Sequence, residues 1–304
     1  MKNNISNRLV RFFRKIVPYN SRIFRILYYM YIRQNSISRL KKKKAADMEI
    51  QFHAADHCNL GCKGCDAFAP AVKECFADIE TLKKDLARTA ELTGGIVGTL
   101  TISGGEPLLN PQLPEILEYA RSCFPNQKLQ IITNGLLLER MSAKFWLACK
   151  DNQIIISLTR YPININLEKI KEIASAYSVG LAYQDDTDIR EKTLAFNPLD
   201  LSGKQDIKKS YRLCFMSNRS FVVENGRIYT CTIIAHIDYF NKFFNQNFVV
   251  SERDYIDIYK AESIDEITDF MCRPMPFCRY CDKKNRVSGL DWEVSKKDIR
   301  EWAE

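Results

Sequence analysis

The first 44 residues contain no aspartate and no glutamate, against thirteen lysines and arginines. Removing them turns the formal charge of the 304-residue chain from +8 to −5, so the basic balance belongs to the N-terminal arm and not to the rest. The chain also shows no charged segment followed by a clean apolar stretch and a small-residue cleavage site, so no secretory leader is read. A membrane span is missing as well: Arg25 and Arg33 bracket seven uncharged residues, where a bilayer requires roughly 20 apolar ones. No internal repeat is evident. These absences leave a globular protein expected in the cytoplasm.

Within the arm, Ile23, Ile26, Leu27, Met30 and Tyr31 fall near helical spacing, with Ser21 as a plausible N-cap. Two readings stay open. A basic amphipathic helix lies peripherally on an anionic inner-membrane surface, or the arm packs on the main domain with its basic face in water. Nucleic acid is not an expected partner.

Eleven cysteines are many for a chain without a leader. They cluster at short spacings, which reads as thiolates in a reducing compartment rather than a disulfide framework. "HCNLGCKGC", residues 57–65, carries Cys58, Cys62 and Cys65 with gaps of three and two residues. A structural zinc site closes with four ligands, and a plain iron–sulfur cluster also takes four. Three on one loop suggest a centre with an open position. A zinc knuckle completed by His57, His53 or Cys75 is the alternative.

From Met48 onward strand-like and helix-like stretches alternate. "EIQFHA", "GTLTISGGEP", "KLQIITNG", "QIIISLTR" and "GLAYQ" read as strands. "DIETLKKDLARTAEL", "LPEILEYARSCF", "SAKFWLACK" and "NLEKIKEIASAY" read as helices. Repeated β–α units predict a parallel sheet, open or closed into a barrel. In such folds sites form at the carboxyl ends of strands. The cysteine loop, "SGGEPLLNP" (103–111), "TNG" (133–135) and "SLTRYP" (157–162) all fall at such ends.

With its CxxxCxxC loop after the first strand and Gly104-Gly105-Glu106-Pro107 after the second, the region from Met48 to Gln184 resembles the radical S-adenosylmethionine (SAM) superfamily. The resemblance implies a partial (β/α)6 TIM-type barrel. Cys58, Cys62 and Cys65 would be the catalytic metal ligands, holding a [4Fe–4S] cluster with an open site for SAM. Reductive cleavage of SAM would give a 5′-deoxyadenosyl radical that takes hydrogen from a substrate. Gly104, Gly105, Glu106 and Pro107 would bind the cofactor, Glu106 by accepting from the SAM amino group. Asn134, Ser157 and Arg160 would line the same site. The family usually has an aromatic residue before the third cysteine. Here it is Gly64, and Phe68 is the expected substitute.

Past about Asp200 the alternation fades. Cys214, Cys231, Cys278 and Cys281 resemble the ligands of a twitch domain, the short form of the SPASM domain, which implies one auxiliary [4Fe–4S] cluster. "SFVVENGRIYTC" reads as a hairpin turning at Asn225-Gly226, which brings Cys214 and Cys231 close together. A four-cysteine zinc is the alternative. Cys272 is left over, either a bystander or a hydrogen donor. The expected division is a basic helical arm over 1–47, a barrel over 48–205 and a small cysteine-rich domain over 206–304.

The layout resembles twitch-type dehydrogenases of aminocyclitols, and the cysteine loop resembles radical SAM proteins of surface-polysaccharide clusters. A small sugar-type substrate, nucleotide- or lipid-linked, is therefore expected, with oxidation of an alcohol or epimerisation of a carbon. A flavodoxin or ferredoxin is the expected reductant. The alternatives are a peptide-modifying maturase of ribosomal peptides and a non-catalytic electron-transfer protein.

Overall fold

The computed structural model describes residues 37–185 and 187–303. Most of the basic arm, including its expected amphipathic helix, lies outside the described residues. The end of the arm is described, and it docks on the protein. Lys42 Nζ pairs with Asp265 and Asp269 at 2.9 and 3.0 Å. The Lys43 ammonium donates to the Asn218 carbonyl. Asn218 Nδ2 donates back to Lys41 O at 2.7 Å.

Four β–α units and a fifth strand follow the sequence reading closely. The strands are β1 (Glu49–Ala55), β2 (Thr99–Gly104), β3 (Leu129–Thr133), β4 (Ile154–Leu158) and β5 (Gly180–Tyr183). The crossover helices are α1 (Ile79–Thr93), α2 (Leu113–Cys123), α3 (Ala143–Asp151) and α4 (Leu167–Ala176). Their starts are fixed by side chains that satisfy otherwise orphaned amides. Asp78 accepts from Thr81 N, Ser142 from Phe145 N, and Asn166 from Lys169 N. Each neighbouring pair from β1 to β5 is parallel and in sequence order.

Among the described residues no α-helix joins β5 to β6 (Leu194–Phe196). Without a crossover the chain cannot return parallel beside β5, and β6 instead pairs antiparallel with the late strand β10 (Val287–Leu290). The helix expected after β5 is therefore missing among the described residues. The sixth parallel neighbour is β7 (Ser220–Glu224), which joins the other edge of β1. It turns through Asn225-Gly226, both with positive φ, into antiparallel β8 (Arg227–Tyr229), and β9 (Tyr255–Asp257) extends the edge. The result is an α/β, mostly parallel eight-stranded sheet in the order β5-β4-β3-β2-β1-β7-β8-β9.

Ile50, Phe52 and Ala54 of β1 enter the main core with Leu86, Ile116 and Leu117 of the covering helices. The alternate residues Glu49, Gln51 and His53 face the other side. There Thr101 donates to Glu49, and Gln130 donates to Thr101. One face of the sheet is therefore dry and covered, and the other is polar. The remaining α-helices among the described residues are α5 (Ile207–Leu213), α6 (Thr232–Phe244) and α7 (Ile264–Met271). A second core gathers Phe240 of α6, Phe68, Phe277 and Trp302. It ties the C-terminal segment to the loop after β1.

Candidate active site

The cysteine loop leaves the carboxyl end of β1 and is strapped on both sides. The GGEP turn grips its start: Gly105 N donates to Ala55 O at 2.7 Å and Glu106 N to His57 O at 3.1 Å. Close backbone approach demands glycine here. A β-carbon on Gly104 (φ 137°) would meet Ala55 O at 2.0 Å, and one on Gly105 would meet His57 O at 2.3 Å. On the far side, Lys63 N donates to Glu293 O and Ser295 N to Gly61 O. Trp302 Nε1 donates to Cys65 O at 2.9 Å.

Glu106 is buried, and its carboxyl group pins the next strand end. Oε1 accepts from Thr133 Oγ1 at 2.8 Å and Leu108 N at 3.1 Å, and Oε2 accepts from Asn134 N at 2.9 Å. Burial pushes its pKa up to about 7, against the lowering by those three donors. Oε2 has one protein donor, which leaves a lone pair for a further one. Asn134 Nδ2 in turn donates to Asn59 Oδ1 at 2.8 Å and lies 3.8 Å from Cys58 Sγ. The three motifs after β1, β2 and β3 are thus one bonded unit.

Burial raises the thiol pKa of Cys58 to about 11 and of Cys65 to about 12. Cys62 is also raised by burial, although Trp292 and Tyr161 beside it favour its thiolate. The Trp292 indole Nε1 is buried with no protein acceptor within ordinary hydrogen-bond geometry among the described residues. Three adjacent thiols and an unsatisfied N–H at Cys62 suit a sulfur-bound metal cluster, which would ionise the thiols on binding. Tyr161 and Trp292 escaped the sequence reading, because Trp292 lies 230 residues beyond Cys62 and belongs to no motif.

Three expected site residues behave differently. Phe68 does not fill the place of the missing aromatic. It is buried in the second core, with ring centroids 5.2 Å from Phe240 and 6.3 Å from Trp302. Phe196 covers Gly64 instead: a β-carbon there would stand 2.6 Å from its ring. Ser157 and Arg160 sit at the end of β4 as expected, but their contacts point along the sheet. Ser157 Oγ accepts from Gln184 Nε2, and Arg160 Nη1 donates to Thr187 O. Pro107 opens a short 3-10 turn, Pro107–Leu109, beneath Glu106.

The second cysteine set also converges. Cys214, Cys231, Cys278 and Cys281 line one cavity together with Asp66 and Lys283. Burial and the neighbouring sulfurs push the Cys278 pKa up to about 12, and burial raises Cys231 and Cys281 too. Burial works against the charge on Lys283, but the nearby thiolates outweigh it and raise its pKa. Asp66, the residue after Cys65, lines this cavity, so the cysteine loop borders the second set. Cys272 does not line the cavity; its thiol donates to Asp269 O at 3.3 Å. Cys149 is buried in the main core and Cys123 packs against it.

The model of the radical SAM superfamily matches residues 54–179. Curated relatives include a GTP 3′,8-cyclase of Chlorobaculum tepidum, 34% identical over 95 residues, covering 30% of this chain and 27% of the relative. A probable GTP 3′,8-cyclase of Methanothermobacter thermautotrophicus is 33% identical over 145 residues, covering 44% of this chain and 45% of the relative. The chain thus spans under half the length of these relatives. Among solved structures, BtrN in complex with AdoMet and 2-DOIA aligns with a TM-score of 0.45 at 16% identity, covering 86% of this chain and 99% of BtrN. Native anSMEcpe with bound AdoMet aligns with a TM-score of 0.45 at 14% identity, covering 84% of this chain and 95% of its own. Superfamily members use a [4Fe–4S] cluster and SAM. Residues 54–179 of this chain carry a radical SAM domain.

Proposed function

We propose that Cys58, Cys62 and Cys65 hold the [4Fe–4S] cluster and that the chain is an enzyme acting on a small, hydroxyl-rich substrate of the sugar or aminocyclitol type. The observation that carries this reading is the bonded unit of cysteine loop, GGEP turn and TNG turn at the carboxyl ends of β1, β2 and β3. With a cluster and SAM bound, the site would supply radical chemistry able to take a hydrogen atom from a substrate carbon.

The protein's own residues divide the rest of the work. Gly104 and Gly105 bring the backbone against the loop, and Glu106 keeps a lone pair for the SAM ammonium. Asn134 orients Asn59 beside Cys58. The polar face of the sheet, with Gln51, Thr101 and Gln130, offers donors and acceptors that suit hydroxyl groups better than hydrocarbon. Ser103 Oγ, buried at the end of β2, has no partner among the described residues and is available to a ligand.

Cys214, Cys231, Cys278 and Cys281 would hold an auxiliary cluster with all four positions filled by protein. Such a cluster has no open iron for substrate, so it suits an electron acceptor. Cys272, with its thiol on a carbonyl and away from that cavity, is a poor hydrogen donor. Both points favour alcohol oxidation over epimerisation. A flavodoxin or ferredoxin would supply the first electron. The test is anaerobic reconstitution, addition of SAM and dithionite, and assay for 5′-deoxyadenosine, followed by turnover of candidate sugars in deuterated water. Oxidation yields a carbonyl with no solvent deuterium at the reacting carbon. An epimer carrying one solvent deuteron contradicts it.

A further inference from the structure

Two histidines and two carboxylates that belong to no motif meet behind the cysteine loop. His53 comes from β1, Asp56 from the residue after it, Glu224 from the end of β7 and His236 from α6. One ligand-type atom from each lies within 4.8 Å of all the others. His53, Asp56 and His236 are each more than nine-tenths buried, at 4, 8 and 2% exposure.

The hydrogen bonding around this group is incomplete in a telling way. Asp56 Oδ1 stands 3.1 Å from His53 Nδ1 and 4.0 Å from His236 Nδ1. Asp56 Oδ2 accepts from Tyr239 Oη at 2.6 Å, which fixes the carboxylate from outside the group. His236 Nε2 is fully buried and has no partner among the described residues. Its Nδ1 is too far from Asp56 for a hydrogen bond. A buried imidazole nitrogen with no partner costs free energy unless something else meets it. The two imidazoles stack at 4.3 Å between centroids and 17° between planes, which disfavours both carrying a proton.

We propose that His53, Asp56, Glu224 and His236 bind a divalent transition-metal cation. Burial and the Asp56 carboxylate raise the Glu224 pKa to about 7, so binding would have to ionise it; as metal ligands the two carboxylates and two neutral imidazoles would carry −2, which the cation neutralises. Ligand bonds of roughly 2.1 Å place ligand atoms about 3.4 Å apart in a tetrahedron and about 4.2 Å apart across an octahedron, so the side chains would have to close by about an ångström. Mixed imidazole and carboxylate donors suit manganese, iron and zinc, whereas the cysteine sets suit iron–sulfur clusters. Tyr239 on Asp56 is the kind of outer partner that orients a ligating carboxylate. The cation would clamp α6 and β7 to β1 directly beneath the loop that carries Cys58.

The test uses the full chain, loaded anaerobically with iron and sulfide and then treated with a chelator that removes iron held outside the clusters. Mn²⁺ is the probe, because it avoids thiolates and because oxidised [4Fe–4S] clusters are silent in its resonance. Titration followed by loss of the free Mn²⁺ signal should show about one site per chain in the micromolar range or tighter, and bound Mn²⁺ should raise the melting temperature. Glu224→Gln and His236→Gln should each weaken binding at least tenfold with iron content unchanged. If His236→Gln does not fold, the less buried Glu224→Gln decides. No bound Mn²⁺ at millimolar concentration in the wild-type chain, or equal binding in the wild type and Glu224→Gln, overturns the site. Iron content and SAM cleavage report separately on the proposed activity, so the two readings fail independently.

Discussion

Gly104 cannot carry a side chain, because the carbonyl oxygen of Ala55 stands 2.0 Å from where its β-carbon would be. The same glycine has φ 137°, a conformation other residues rarely adopt. Gly104→Ala should therefore push the GGEP turn off the start of the cysteine loop. The expected cost is about 3 kcal/mol or more from strain and clash together. Thermal melting and iron content check this. A variant that melts like the wild type and keeps all its iron contradicts the packing described.

Glu106 makes stability pH-dependent. Burial holds its folded pKa near 7, above the ordinary glutamate value of about 4.3 that the unfolded chain has. An acid raised in this way favours the folded state fully below its unfolded pKa, and the contribution disappears as pH rises through its folded pKa. The wild type should lose this increment of stability between about pH 4.3 and 7. Glu106→Gln loses a hydrogen bond at every pH, worth about 1–3 kcal/mol, but removes the pH-dependent part. Denaturant melts of both proteins across that window check it. Parallel pH profiles rule out the titration of Glu106.

The two cysteine sets should fail separately. Cys278→Ala should lower iron from about eight to about four per chain, since each cubane carries four, and spare SAM cleavage. Cys272→Ala should leave iron at about eight, because that thiol is outside the cavity. Iron analysis with a SAM cleavage assay distinguishes these. An iron loss in Cys272→Ala equal to that in Cys278→Ala means the ligand set is wrong.

Much of this was legible because its signals are local. Strand and helix stretches from Glu49 to Tyr183 follow hydrophobic period and capping residues such as Asp78 and Ser142. Asn225-Gly226 is a two-residue turn, so the β7–β8 hairpin was readable as well. The failures are non-local. The place of β6 depends on the missing crossover after β5 and on a partner strand some ninety residues later. Phe68 looked available beside the loop, but Phe240 and Trp302 arrive from the far end of the chain and enclose it. Likewise, nothing in the spacing of His53 and His236 announces that their rings stack.

The most direct test of the central claim is SAM cleavage by the variant in which Cys58, Cys62 and Cys65 are all replaced by alanine. Anaerobically reconstituted protein with dithionite should yield 5′-deoxyadenosine from the wild type and none from the triple variant. Iron should fall from about eight to about four per chain, as each lost cubane removes four. Cleavage at the wild-type rate in the triple variant would contradict the assignment of these thiols to the SAM-binding cluster.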